Sequence, residues 1–112
     1  MAGAKITVIY PMPKDMAAFE RGYNDEHIPM AAPIFQAAGA TKVVLTKAVG
    51  APSGSPAFHR IAEIHFPSMA SLRACIASKP AQDAVAHAVQ ISNGGPPIFL
   101  IAEEEVVAFQ PA

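Results

Sequence analysis

The 112-residue sequence has no tryptophan, a single cysteine and no run of Lys or Arg, and each absence excludes something. With Cys75 alone no internal disulfide can form, and a lone thiol suits a reducing compartment. Eight basic residues stand against nine acidic ones, for a formal net charge of -1. Neither nucleic acid nor an anionic membrane surface is therefore an expected partner. No segment approaches the roughly 18 apolar residues that a membrane-spanning helix needs. The start, Met1 to Lys5, runs into Ile6–Tyr10 without the charged region and long apolar stretch of a signal peptide. Gly94 and Gly95 belong to no strand-to-helix phosphate motif, so nucleotide binding has no carrier. The reading is a cytoplasmic protein.

What is present is apolar: 52% hydrophobic residues against 15% charged ones, too much carbon for a disordered chain. Residues 1–112 are expected to form one domain, large enough to own a core and small enough to gain from a partner. Lys5 to Tyr10 is rich in strand formers and is broken by Pro11 and Pro13. Asp15 then sits where an N-cap belongs. A helix is expected from Met16, with Pro29 pushing Ile28 out of helical geometry so that His27 lies in the final turn. Ala31 to Ala38 reads as a second short helical piece, weakened by Pro33 and closed by Gly39.

Lys42–Val49 and Phe58–Phe66 read as strands, joined by the loop richest in Gly, Pro and Ser, Gly50–Pro56, and hence as an antiparallel hairpin. Ser68 caps a helix over Met69–Ser78, and Pro80 opens another that runs to about Gln90. Ile98–Ala102 begins a last strand that can continue to Val107. The order β, α, β, β, α, β describes an α+β ferredoxin-like split βαβ sandwich: a four-stranded antiparallel sheet with helices on one face. Alternation in the last two strands puts large apolar groups on the second face as well. A solvated face would be mostly polar, so a homodimer with sheets packed face to face is expected.

Phe19, Tyr23 and His27 recur every four residues and fall on one helix stripe. An imidazole titrates near neutrality, so His27 is the leading general acid or base, with Tyr23 one turn earlier to orient it or donate a hydrogen bond. The bland alternative is that His27 satisfies a carbonyl at the helix end and Tyr23 packs in the core. Asp25 and Glu26 face elsewhere. Tyr10 can reach the same space as His27, or can be an ordinary core-edge tyrosine. Arg60 interrupts an apolar strand face and needs either a protein carboxylate or an acidic ligand group, unless it escapes to solvent.

His59, Glu63 and His65 alternate onto one face of one strand. At about 3.3 Å per residue the two histidines are roughly 20 Å apart, beyond joint ligation of a metal. Glu63 and His65 are near neighbours, but the third ligand has no evident source, so no metal is expected. Polar lining of a pocket, or a solvated ion pair, suits them better. Met12, Met16 and Met30 cluster around the His27 helix, where they pack adaptably or line a pocket for an apolar ligand. Cys75 reads as an inert buried thiol, His87 as surface, and Glu103–Glu105 as a solvated strand end.

The run Val8–Pro11, the pattern Phe19, Tyr23, His27, Pro29, and Ala62–Phe66 followed by a Ser-initiated helix resemble the EthD family of dimeric α+β barrel proteins. The likeness spans about Ile6 to Ala102. It implies a homodimer and an association with oxidative breakdown of ethers such as ethyl tert-butyl ether. Relatives of similar barrel include muconolactone-type isomerases, cofactor-free monooxygenases, and cyclases or decarboxylases of aromatic, polyketide-like compounds. Fold likeness does not choose among these. The function expected is a small cofactor-independent enzyme of organic-compound catabolism that holds an apolar or aromatic ligand between sheet and helices. His27 and Tyr23 would be its catalytic pair, and Tyr10, Phe19, Met30, Arg60, Glu63 and His65 would contact the ligand. The alternative is a non-catalytic dimer that carries a hydrophobic intermediate or supports a partner oxidase.

Overall fold

Burial alternates without a break from Ala4 to Tyr10, the signature of a strand with one face on a core. The computed structural model describes residues 3–111; Met1 and Ala2, on which the leader reading partly rests, lie outside the described residues, as does Ala112. The strand is β1 (Gly3–Pro11), and it is central in a four-stranded antiparallel sheet with β2 (Lys42–Lys47), β3 (Phe58–Phe66) and β4 (Ile98–Glu104). The order is β2-β3-β1-β4, which is the split βαβ arrangement expected from the sequence. Its register lines up two apolar rows on the helix side. Leu45, Ala62, Val8 and Phe99 form one, and Val43, Ile64, Ile6 and Ile101 the other.

The helix layer corrects the sequence reading at Pro29. Asp15 caps the first helix as expected, its carboxylate accepting from the Ala18 amide. That helix does not end at His27. α1 (Met16–Arg21) passes into a π-helical turn (Gly22–His27) and on into α2 (Ile28–Ala37) without leaving helical backbone angles. Proline lacks an amide proton, and its ring collides with the carbonyl four residues back in an α-helix. Across the wider turn the Ile28 amide donates to Tyr23 five residues back, which absorbs that conflict just before Pro29. Gly39, at φ +97°, ends α2 in the left-handed region.

α3 (Met69–Ile76) is capped by Ser68, whose hydroxyl accepts from the Ser71 amide, and α4 (Lys79–Ile91) by Ser78. Leu72, Cys75, Ala81, Ala84 and Ala88 are the buried residues of these two helices. No helix among the described residues is long and apolar enough to cross a membrane. The loop from α4 to β4 is held against the start of α1. The Asn93 carboxamide oxygen accepts from the Lys14 and Asp15 amides, and its nitrogen donates to the Asp15 carbonyl.

A second correction concerns His59. Tyr10 pairs with Arg60 and Pro11 with Phe58, so His59 is an extra residue in the β3 ladder. A bulge of this kind turns successive side chains to the same side. His59 is accordingly buried against Phe19 on the helix side, away from Glu63 and His65. The second face of the sheet is divided. One end carries the row Thr46, Ile61, Ile9 and Ile98, and the other carries Lys42, His65, Lys5 and Glu104, with Val44 and Leu100 between. Both faces of β4 remain open, with Ile98, Phe99, Leu100 and Ile101 all exposed.

A side chain at Gly94 would overlap the Met12 carbonyl, which is backbone and cannot swing away. Gly94→Ala is therefore expected to cost about 1–3 kcal/mol, the usual range for overpacking. The check is a lowered urea midpoint with an unchanged slope, while Gly50→Ala, in open space, leaves the midpoint in place.

Candidate functional site

Three alanines on α4 make the space from which the site is built. Ala81, Ala84 and Ala88 face the sheet with side chains too short to fill the gap, and a cavity of about 360 Å³ lies between the two apolar strand rows and helices α2 and α4. From α2 it is bounded by Ile28, Ala31, Ala32 and Phe35. Of its twenty lining residues only Tyr10 and His27 carry a side chain able to hydrogen bond. A ligand that fits is thus mostly carbon, with one polar atom or two at the end where those residues stand.

His27 comes from the last position of the π turn. It is 7% exposed, and its Nδ1 lies 2.9 Å from Nδ1 of His87 on α4. Burial chiefly, and the neighbouring His87 next, lower its pKa to about 4. The helix runs on past His27, so the field of a helix C-terminus, which would favour the charged form, is absent and desolvation wins. His27 is a neutral imidazole at ordinary pH. Tyr10, 1% exposed, has its hydroxyl pKa raised by burial and is a neutral donor.

Tyr23 does not border the cavity. It is wholly buried between Phe19 and His27, with ring centroids 5.5 and 6.3 Å away, and it meets Tyr10 edge-on. Burial first, with smaller opposing effects of Arg60 and Glu20, brings its pKa to about 12. Its hydroxyl is one of two buried polar side-chain groups without a hydrogen-bond partner among the described residues, His59 Nε2 being the other. Phe19 stands behind Tyr10, and Met30 is half-buried on α2 outside the cavity lining.

Arg60 is not free for an acidic ligand. The carboxylate it required is Glu20, which accepts from Nε at 3.2 Å and Nη2 at 2.9 Å. That pairing holds the Glu20 carboxyl below its usual range against the opposing effect of burial. The Arg60 guanidinium also covers the Tyr23 ring at 5.0 Å. His59 Nε2 lies 3.4 Å from Glu20, within ion-pair reach but off the line of a hydrogen bond.

Glu63 and His65 belong to the opposite face of the sheet, because alternation along β3 sends them away from Ala62 and Ile64. Together with Glu104 they bring ligand atoms within 4.8 Å of one another. Glu104 is the third donor that the sequence did not reveal. The Lys5 ammonium is already bound to both carboxylates, at 3.1 Å from Glu104 and in closer contact with Glu63. A cation would have to displace it.

The residue that sequence reasoning missed is His87, read as surface because alanines flank it. It is half-buried and bonded to His27. The signal was its position on α4, three residues after Ala84 and four before Ile91, at the edge of the stripe that packs inward. Cys75 is buried as expected, and burial raises its thiol pKa.

The sheet, its one covered face and the carbon-lined cavity define a ferredoxin-like α+β protein with a ligand-sized pocket. The chain belongs to the DUF1330 family, a domain of unknown function, whose model matches residues 12–98. An uncharacterised 11.0 kDa protein of Rhodococcus erythropolis, from the thcB–thcC intergenic region, is 26% identical over 103 residues, which cover 92% of this chain and 97% of that protein. Among solved structures, an EthD family protein from Bacillus halodurans matches with a TM-score of 0.83 at 24% identity, covering 92% of this chain and 99% of its own. A dimeric ferredoxin-like protein of unknown function from Jannaschia matches with a TM-score of 0.67 at 18% identity over 93% and 100% of the two chains. The EthD likeness read from the sequence is therefore present in the fold.

The depressed His27 pKa makes stability depend on acidity in a defined window. An unfolded histidine titrates near 6.5, so below that pH the unfolded chain takes up a proton that the folded one refuses. His27 should leave stability intact above about pH 6.5 and remove it progressively as the pH falls toward 4. The total loss is about 3 kcal/mol from this group. Chemical denaturation at pH 7.5, 5.5 and 4.5 measures it, and His27→Gln should flatten that part of the curve.

Proposed function

We propose that this protein is a small homodimeric, cofactor-independent enzyme of organic-compound catabolism, acting on a neutral, mostly apolar ether or aromatic substrate in the cavity between sheet and helices. The observation that carries the reading is a pocket in which Tyr10 and His27 are the hydrogen-bonding side chains and both are held uncharged. Tyr10 would donate to a substrate oxygen, and His27 would give or take a proton at the carbon or oxygen beside it. Tyr23 serves by stacking on His27 and Phe19 by stacking on Tyr23, and both meet Tyr10 edge-on, which fixes the rings. The chemistry that such groups support without a metal or coenzyme is proton movement in isomerisation, cyclisation or decarboxylation, or deprotonation of a substrate that then reacts with oxygen itself. The solved neighbour whose family is named for ethyl tert-butyl ether supports an ether as the substrate class.

A carrier role is favoured by one observation. A base whose conjugate acid has a pKa near 4 is weak at neutral pH, and the same two groups would orient a hydrophobic intermediate without reacting with it. A second copy belongs to either reading, because the apolar row Ile61, Ile9 and Ile98 and the open strand β4 need cover. The buried free Cys75 and the near-neutral charge suit the cytoplasm, with residues 1–112 as one domain.

Three measurements check this. A thermal-shift screen of cyclic ketones, phenols and ethers should raise Tm, and Ala32→Phe, which fills the cavity from α2, should abolish the shift. His27→Gln separates the readings: binding retained with turnover lost marks the enzyme, and binding retained with no turnover in either form marks the carrier. Light scattering at micromolar concentration should give twice the chain mass, with Ile9→Lys shifting it to monomer; a wild-type monomer ends the dimer proposal.

A further inference from the structure

His27 presents a difficulty within the proposed function. It must move a proton inside a pocket that makes the imidazolium costly. The contact with His87 removes the difficulty. The two Nδ1 atoms are 2.9 Å apart and the rings lie within 14° of parallel at a centroid separation of 5.2 Å, an edge-to-edge hydrogen bond between near-coplanar imidazoles. Such a bond contains one hydrogen, so the tautomers are opposed. If His27 carries its proton on Nδ1, the His87 proton is on Nε2; if His87 carries its proton on Nδ1, the His27 proton is on Nε2.

We propose that His87 is a positioning residue that makes this pair a two-imidazole proton relay between cavity and solvent. The inference rests on the proposed use of His27. In the forward direction a substrate proton bonds to His27 Nε2, the Nδ1 proton of His27 passes to Nδ1 of His87, and the Nε2 proton of His87 leaves to water. One proton enters and one leaves. Both rings finish neutral with their tautomers exchanged, so no imidazolium rests in the apolar pocket, and the one charge left there is the oxyanion of the deprotonated substrate, to which the neutral Tyr10 hydroxyl donates. Run backward, the same steps return a proton to the substrate and reset the pair. A reaction that removes a proton and restores it elsewhere on the substrate closes this cycle by itself, which makes isomerisation the reaction class that the pair fits best.

The geometry at each end suits these steps. His27 borders the cavity, and its Nε2 has no hydrogen-bond partner among the described residues. His87 does not border the cavity, and it is half-buried on α4, with a path to solvent. Few charges stand near enough to hold either tautomer. On α4, Asp83 is one turn before His87 and is bound by Lys79. From the π turn, Asp25 and Glu26 are exposed, and Tyr23 faces His27 across parallel rings. α2 contributes no titratable residue, and β1 contributes the neutral Tyr10.

The test is ¹⁵N spectroscopy of histidine-labelled wild-type protein at pH 8, with and without cyclohexanone as a neutral one-acceptor probe. Opposed tautomers for His27 and His87, with a scalar coupling across the Nδ1–Nδ1 hydrogen bond, are expected in the free protein. The same tautomer in both rings, with no coupling, overturns the relay whatever the protein binds. On adding the ketone, both rings should change tautomer together, His27 becoming an Nε2 donor; a change at His27 alone also overturns it. A ketone that does not bind counts against the proposed cavity function, while the free-protein spectra still decide the relay. His87→Phe should uncouple His27 from this behaviour, leaving a tautomer balance that no longer depends on a partner ring.

Discussion

The missing amide proton of Pro29 is the constraint around which the helix layer is arranged. It would ordinarily end a helix, and here it is accommodated by one widened turn. That turn places Tyr23 and His27 inside the layer instead of at a frayed end. It also lets Ala31 and Phe35 continue on the same helix over the sheet, so one element supplies both the imidazole and much of the cavity roof. Gly22 opens the turn where a side chain would press on Ile91 at 3.1 Å, which brings α4, and with it His87, close enough to bond.

Charge is kept away from the place where it would cost most. Glu20, Arg60 and Lys47 form a network beside the bulge at one end of the helix face, and Lys5, Glu63 and Glu104 form another on the opposite face of the sheet. Between them the cavity has two titratable groups, both neutral. A hydrogen bond from Tyr10 or His27 to a ligand is made there with little competition from water, and in a medium of low polarity it is stronger than at the surface. The two networks define where the pocket ends as much as the apolar rows define its floor.

Much of this was legible in the sequence because periodicity reports which side of an element is buried. The four strands, the Asp15 and Ser68 caps and the Gly39 stop all followed from local rules, and so did the stacking of Phe19, Tyr23 and His27 along one side. Three features were not legible, each for a physical reason. Whether Pro29 ends a helix or is absorbed by a π turn depends on packing against α4, which no local pattern records. The bulge that turns His59 over depends on how Tyr10 and Pro11 meet a strand some fifty residues away. His87 and Glu104 acquire their roles only from partners distant in sequence, His27 and Lys5. Arg60 gave half of its story: its need for a carboxylate was plain, but Glu20 faces it only once α1 lies across the sheet.

The strand order has a consequence for how the protein is made. β1 is paired on both edges, yet Lys5 and its partner Glu104 are 99 residues apart. Synthesis delivers β1 long before β4, so one edge of the central strand stays unpaired while the hairpin and both helical segments are completed. Closing so long a loop is the slow entropic step for such a topology. During translation the chain therefore carries an apolar strand with an open edge, and the interval before β4 arrives is when a chaperone, or another nascent copy, would find it.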